Sequence, residues 1–126
     1  MTTFFRDLDR AADELGVTLD QVVRGIQIEL FSGVIRDTRV DTGRLRGNWQ
    51  TTVGSAASGE TERLDPTGSQ AISDVQRNVV SGDVMFLANN LPYAEYWEQQ
   101  DGMIDRNLQR LDRTITEVIR RSRGRR

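Results

Sequence analysis

Two glutamates, Glu95 and Glu98, come closest in this sequence to the residue type and spacing of a catalytic pair. They are three positions apart in a predicted helix, so they share one face, and paired carboxylates can exchange protons with a substrate. Two glutamates on an exposed helix are more often a solvated surface, and no third group at a recognisable spacing supports them. The chain has no histidine and no cysteine, which removes the commonest general base and the thiolate nucleophile. We therefore expect no enzyme activity, no cofactor, no metal site and no small-molecule substrate.

Arginine is the other residue type that could do chemistry. All 17 basic residues are Arg, although the net charge of the chain is −2. Five of them lie in the last seven positions and could contact DNA phosphates or a partner, although a solubilising tail explains them equally well. Arg44 and Arg46 share the polar face of a predicted strand and could contact a phosphate or a carboxylate across a subunit interface. The five terminal arginines are Arg120, Arg121, Arg123, Arg125 and Arg126.

The periodicity of apolar residues predicts helices and strands within one domain over residues 1–126. Apolar runs are too short to span a membrane, and the start does not resemble a signal peptide. The predicted elements are a first helix at 3–15 within residues 1–16, a helix at 18–39, strands at 44–53 and 84–88, a helix at 69–80, an aromatic helix after Pro92, and a last helix after Gly102 that ends in a flexible Arg-rich tail at 119–126.

The last helix has a narrow apolar seam, which predicts a surface for a partner or for another helix. Its residues follow a 4-3-4-3 spacing and are Ile104, Leu108, Leu111, Ile115 and Val118.

The helix at 18–39 is apolar on two faces. Thr18 is a suitable N-cap residue. One face contains Val22 and Ile26, and the other is formed by Ile28, Phe31 and Ile35. A helix sandwiched within its own domain would explain both faces. Because the chain is small and only 6% aromatic, we expect instead that Ile28, Phe31 and Ile35 pack on a neighbouring subunit.

The stretch from residue 84 to residue 98 is the predicted folding centre. The strand at 84–88 is apolar on both faces, and the residues Asn89 and Asn90 then favour a turn. Pro92 suits the first turn of a helix, on which Tyr93 and Trp97 share a face. We expect Trp49, Tyr93 and Trp97 to belong to the core.

Two segments resemble sequences of tail-completion, or neck, proteins of long-tailed bacteriophages. Residues 40–54, Val-Asp-Thr-Gly-Arg-Leu-Arg-Gly-Asn-Trp-Gln-Thr-Thr-Val-Gly, are similar to the family's V-D-T-G-x-(F/L)-R-x-N-W-x-x-(S/T)-V-G segment. Residues 89–98 are similar to its N-N-L-P-Y-A-x-x-x-E segment, about 40 residues further on. The resemblance covers residues 17–120 and has one departure, because only three residues separate Glu98 from Gly102 where the family has a longer loop. The residues of the family motif include Thr42, Gly43, Trp49, Asn89, Asn90, Pro92, Tyr93, Trp97 and Glu98.

The resemblance implies a structural virion protein of α+β fold that acts by assembly. We expect a small antiparallel sheet packed with a long N-terminal helix and a C-terminal helix. Members of the family form rings that close the head-proximal end of the tail or join it to the head. By this analogy we expect a homo-oligomeric ring of six copies, neck and tail-tube proteins as partners, and packaged DNA in the lumen. The protein would be made in the bacterial cytoplasm and found in the virion neck.

Two alternatives stay open beside the ring. Within the same setting, the chain could be a head-side connector or stopper protein. From a different class, it could be a small nucleic-acid-binding module that uses its Arg-rich C-terminus.

Overall fold

The computed structural model describes residues 18–80 and 82–124, together with Arg6, Asp9, Arg10, residues 12–14 and Gly16. The predicted helix at 3–15 lies largely outside the described residues, although Asp9, Arg10 and residues 12–14 are helical. The elements are α1 (Leu19–Asp37), α2 (Arg44–Gly47), β1 (Gln50–Val53), α3 (Ser69–Asn78), β2 (Met85–Ala88), α4 (Ala94–Asp101), α5 (Met103–Gln109) and α6 (Leu111–Gly124). The fold is α+β, as predicted.

The long helix α1 begins and ends close to its predicted limits. The Thr18 side chain accepts a hydrogen bond from the Gln21 N–H at 3.2 Å, and the Gln21 side chain accepts one from the Thr18 N–H at 2.9 Å. This reciprocal capping box satisfies two of the N–H groups that a helix N-terminus leaves without partners. At the other end, Thr38 is the C-cap residue and is extended.

The predicted strand at 44–53 is wrong in its first half. Arg44–Gly47 is the helical turn α2, and only Gln50–Val53 forms a strand. The turn begins at Gly43, whose φ of 91° lies in the left-handed region, and the Gly47 N–H bonds the Gly43 carbonyl at 2.8 Å. The alternation of polar and apolar residues is typical of a strand. The conformation of residues 44–47 is instead determined by contacts with the backbone of Arg63 and Pro66 in a distant loop.

Strands β1 and β2 form a two-stranded antiparallel sheet. Thr51 is paired with Leu87 and Val53 with Met85, so these four side chains lie on one face. Met85 and Leu87 pack against the main core. The opposite face presents Gln50, Thr52, Phe86 and Ala88.

The main apolar core lies between α1, α3 and the sheet. Its buried members include Val34, Ile35, Trp49, Val75 and Met103. A second cluster joins the first half of α1 to α6, because Ile115 and Ile119 pack against buried Val22. Helix α1 is therefore covered on two sides by its own chain, and this accounts for its two apolar faces.

The predicted last helix is divided at Arg110 into α5 and α6. Helix α5 crosses α1 closely at Gly33. Any side chain at that position would collide with the Asn107 amide oxygen. The apolar seam predicted for this region is only partly covered. Val118 is buried, whereas Ile104 is 38% exposed and Leu108 is 51% exposed.

Replacement of Gly47 tests the close contact that holds α2. A Cβ atom at residue 47 would collide with the backbone oxygen of Arg63, which cannot move without shifting the loop. We expect Gly47→Ala to lower the free energy of unfolding by about 1–3 kcal/mol. The measurement is chemical denaturation followed by circular dichroism.

The matched control for this change is Gly59→Ala. A Cβ atom at residue 59 meets no atom within 4 Å, so stability should stay within about 0.5 kcal/mol of the parent. Equal stability of the two variants would contradict the contact.

Candidate assembly site

Thr42 and Gly43 shape the entry to α2. The Thr42 hydroxyl oxygen accepts a hydrogen bond from the Arg44 N–H at 3.3 Å. Gly43 is buried, and a side chain there would lie 2.6 Å from the backbone nitrogen of Pro66. The left-handed φ and the close backbone both require glycine. These two motif residues therefore build the turn.

Trp49 is a core residue, as predicted, and it also carries a polar contact. It is 3% exposed, and its indole N–H donates to the Thr38 hydroxyl oxygen at 2.8 Å. That hydroxyl donates in turn to the Val34 carbonyl at 2.7 Å. The motif is thus tied to the C-terminal end of α1.

The Arg46 guanidinium binds carbonyl oxygens of its own chain. Its Nη2 group donates to the Thr38 carbonyl at 2.6 Å and to the Arg36 carbonyl at 3.0 Å, and its Nη1 group donates to the Pro66 carbonyl at 2.7 Å. Two of these acceptors lie at the C-terminal end of α1, where carbonyls lack helical partners and a positive charge is favourable. The prediction that Arg46 points outward from a strand towards another subunit is therefore corrected, because its donors are used within the chain.

Arg44 lies at the surface of α2. It forms an ion pair with Glu60 at 3.3 Å, and the side chains are 41% and 42% exposed. An exposed ion pair of this kind contributes little to stability. A subunit contact through Arg44 stays a prediction.

The later half of the loop at 54–68 is anchored to α2. Asn48 is fully buried, and its side chain bonds both the N–H and the carbonyl of Thr61, at 2.8 and 3.0 Å. Arg63 donates to the carbonyls of Gly47 and Trp49 at 3.0 and 3.1 Å. Local sequence patterns did not indicate the roles of Asn48 and Arg63, because their partners are 13 to 16 positions away.

Asn89 and Asn90 bring the second motif segment onto the first. The Asn89 amide donates to the Leu45 carbonyl at 2.8 Å, and the Asn90 amide donates to the carbonyls of Ala57 and Gly59 at 2.7 and 3.1 Å. A small apolar cluster forms at the same junction. It consists of Leu45, Leu91 and Ala94, with Trp97 packed against it.

The prediction of a core position is wrong for Tyr93. Helix α4 begins only at Ala94, and Leu91 and Ala94 are the buried residues of this turn. Tyr93 therefore falls on the outer side and is 38% exposed. Pro92 is exposed in the turn that precedes α4. Trp97 is half-buried and contacts two apolar clusters.

Glu98 caps the next helix. One carboxylate oxygen accepts the Ile104 N–H at 2.8 Å, and the other accepts the Asp105 N–H at 3.2 Å. A carboxylate at a helix N-terminus satisfies free N–H groups and interacts favourably with the helix dipole. Glu98 thus has a structural role that its spacing from Glu95 did not indicate.

The three α1 residues predicted to contact another subunit lie against the core of their own chain. Ile35 is completely buried there, so it is a core residue and is not exposed to a partner. Ile28 and Phe31 are half-buried and pack against the same core. The sandwiched-helix interpretation therefore describes this face of α1.

The arginines of the C-terminal segment are partly neutralised within the chain. Helix α6 extends to Gly124, so residues 119–124 of the predicted flexible tail are helical. Arg120 pairs with Glu117 at 2.5 Å, and Arg121 pairs with Glu29 of α1 at 2.6 Å. The Arg123 side chain, Arg125 and Arg126 lie outside the described part of the structure.

A cluster that the sequence did not reveal joins the end of α1 to α4. Arg39 donates two hydrogen bonds to the Asp101 carboxylate, at 2.7 and 2.8 Å. Its guanidinium carbon lies 3.5 Å from the centre of a Trp97 ring, which is a cation–π contact. The hydrogen bonds from Arg39 hold the pKa of Asp101 below its ordinary value of 3.8.

The described residues contain neither a metal-ligand cluster nor a membrane span. No group of three or more potential metal ligands occurs among them. No helix within this part of the chain combines the length and apolarity that crossing a membrane requires.

Comparison with known proteins finds no match to this chain among family models, curated proteins or solved structures. The function is therefore inferred from the two motif segments and from the contacts that the structure gives them.

The Arg39–Asp101 pair predicts a specific dependence of stability on pH. Because the folded-state pKa of Asp101 is lowered, the pair stabilises the fold above pH 3.8 and loses this effect as the pH falls through the folded-state pKa. We expect the difference in melting temperature between the parent and Asp101→Asn to be largest near neutral pH and to shrink under acid conditions. Thermal unfolding across the acid range measures it.

The control for the pH series is Asp41→Asn, at an exposed carboxylate with no ion pair among the described residues. Its melting-temperature difference should stay small throughout. A difference for Asp101→Asn that is constant with pH, or that grows on acidification, would count against the pair.

Proposed function

We propose that this chain is a structural protein of the neck of a long-tailed bacteriophage, where several copies form a ring that completes the head-proximal end of the tail and joins it to the head. The observation that carries the proposal is the contact between the two motif segments. Asn89 bonds the Leu45 carbonyl at 2.8 Å, and Leu45 shares a cluster with Leu91 and Ala94. Two segments that resemble one family thus meet in one structural unit.

The roles of the motif residues support a function in assembly. Gly43 lies close against the backbone of Pro66. The side chains of Asn48 and Asn89 form hydrogen bonds with backbone groups of their own chain, and Glu98 caps a helix. These residues build the fold, because their contacts are with groups of their own chain. A signature of this kind suits a protein whose function lies in its surfaces.

Exposed apolar side chains on α4 and α5 are the best candidates for a contact between subunits. Tyr96 is 51% exposed, and Ile104 and Leu108 continue the apolar exposure along α5. Ile104 and Leu108 begin the seam that the sequence predicted as a partner surface. We propose that the α5 seam contacts neighbouring copies. We propose further that Arg44 and the exposed start of the loop at 54–68 contact neck partners.

The two alternatives differ in how much the structure supports them. A head-side connector or stopper would use the same fold and the same type of ring contact. A nucleic-acid-binding module draws less support, because Arg120 and Arg121 are paired with acidic residues of the chain. Packaged DNA in the lumen stays compatible with the ring.

Native mass spectrometry and negative-stain microscopy test the proposal directly. The purified chain, alone and mixed with the proteins encoded by flanking genes, should form a closed ring, for which we expect six copies. A strictly monomeric chain in the presence of those proteins would contradict the ring. Salt-dependent DNA binding by the monomer, lost on deletion of residues 120–126, would support the nucleic-acid alternative instead.

Leu108→Glu tests the proposed contact on α5. It should abolish or severely weaken the ring without changing the circular dichroism spectrum, because it places a charge in an apolar interface. Leu64→Glu is the matched control, since Leu64 is 55% exposed on the anchored later half of the loop at 54–68, which is not part of the proposed contact. If the Leu108→Glu variant still formed the ring, α5 would not be part of the contact between subunits.

A further inference from the structure

The outer edge of β2 has backbone groups without partners among the described residues. The Gly54 N–H bonds the Val84 carbonyl at 2.8 Å, so residues 52 and 86, and likewise 50 and 88, are the hydrogen-bonded pairs of the ladder. The N–H and carbonyl groups of Met85 and Leu87 consequently point away from β1. No described residue forms a hydrogen bond with them.

The corresponding edge of β1 is closed. Helix α3 packs beside β1, and the Asn78 amide donates to the Thr51 carbonyl at 3.1 Å. Arg63 donates a hydrogen bond to the Trp49 carbonyl just before the strand. Within the described part of the chain, the edge of β2 is therefore the one that can accept a further strand.

The open edge also lacks the features that usually prevent pairing. Exposed edge strands commonly carry a charge, a proline or a bulge. Residues 84–88, Val-Met-Phe-Leu-Ala, have no charge and no proline, and β2 pairs with β1 in a regular register, without a bulge, across all four positions. Val84 is 67% exposed at the start of this stretch.

The β2 strand is complementary to itself in antiparallel orientation. Pairing centred on Phe86 places Met85 of one copy opposite Leu87 of the other, so all four free backbone donors and acceptors on each copy find partners. Phe86 then faces Phe86 on the outer side of the sheet, which is a favourable cross-strand aromatic pair. Val84 faces Ala88, and no like charges are opposed.

We propose that β2 is a self-association edge, through which two copies of this chain join their sheets into one four-stranded antiparallel sheet. The contact is two-fold symmetric, because the same edge is used on both copies. It is separate from the proposed ring contact, since a two-fold pairing cannot by itself extend around a ring. In a ring-forming protein it would join two rings or two free subunits.

A charge-exchange experiment at residue 86 tests the pairing. Phe86 belongs to the outer face of the sheet and is not part of the apolar core clusters. In Phe86→Lys and Phe86→Glu, identical charges face each other across the two-fold axis. We expect each variant alone to dimerise at least about tenfold more weakly than the parent, and their mixture to form a heterodimer. Sedimentation equilibrium and native mass spectrometry measure the species, and Leu108→Glu is carried in every sample so that the ring contact does not interfere.

Two further measurements keep the test independent of variant folding. Thr52→Lys is the control, because Thr52 lies on the same face but on the closed strand β1, and it should leave dimerisation unchanged. In the chain with Phe86 intact, the amides of Met85 and Leu87 should exchange with solvent more slowly as protein concentration rises. The proposal would be overturned by dimers that form equally well with either charge at residue 86, or by amide exchange that does not depend on protein concentration. A chain that stays monomeric at all concentrations would also overturn it, and the β2 edge would then be available to a strand of another protein.

Discussion

The guanidinium group of Arg46 on the carbonyl end of α1 is the interaction on which the rest of the structure depends. Arg46 bonds the carbonyls of Arg36 and Thr38 at the end of that helix and the carbonyl of Pro66 before α3. It thereby fixes α2 between two helices. The later part of the loop at 54–68 and the second motif segment both contact α2. The position of α2 therefore determines where both motif segments lie.

The same device recurs at two other helix ends. Arg24 donates to the carbonyls of Gln76 and Val79 at the end of α3, both at 3.0 Å. Arg63 donates to the carbonyl of Gly47, the last residue of α2, and to that of Trp49 just beyond it. A planar guanidinium can bond several carbonyls at fixed angles, which the single ammonium group of lysine cannot. In a small domain with few aromatic residues, these contacts join elements that a modest core would hold less firmly. From the sequence alone, such arginines could be taken for contacts with DNA or with partners, but the structure shows them bonded to carbonyls of their own chain.

Local patterns predicted what local interactions determine. The capping residue Thr18 and the apolar period predicted α1, and the apolar run at 84–88 predicted β2. The α+β class was an implication of the resemblance, and the structure confirms it. The strand at 44–53 failed because the conformation of α2 depends on backbone contacts with Pro66 and Arg63, which no local pattern encodes. The burial of Ile35, the exposure of Tyr93 and the capping role of Glu98 likewise depend on where distant elements meet. The motif resemblance drew attention to the two segments, but it did not predict that they contact each other or that Arg46 serves the fold.

The most direct test of this account is the stability of Arg46→Lys compared with Arg77→Lys, measured by equilibrium unfolding in denaturant. The first change keeps the charge but removes the fork that bonds three carbonyls, so the free energy of unfolding should fall by about 2 kcal/mol. Arg77 has a side chain that is 67% exposed and pairs with Asp74, so its change should stay within about 0.5 kcal/mol. Equal stability of the two variants would contradict the central place of Arg46.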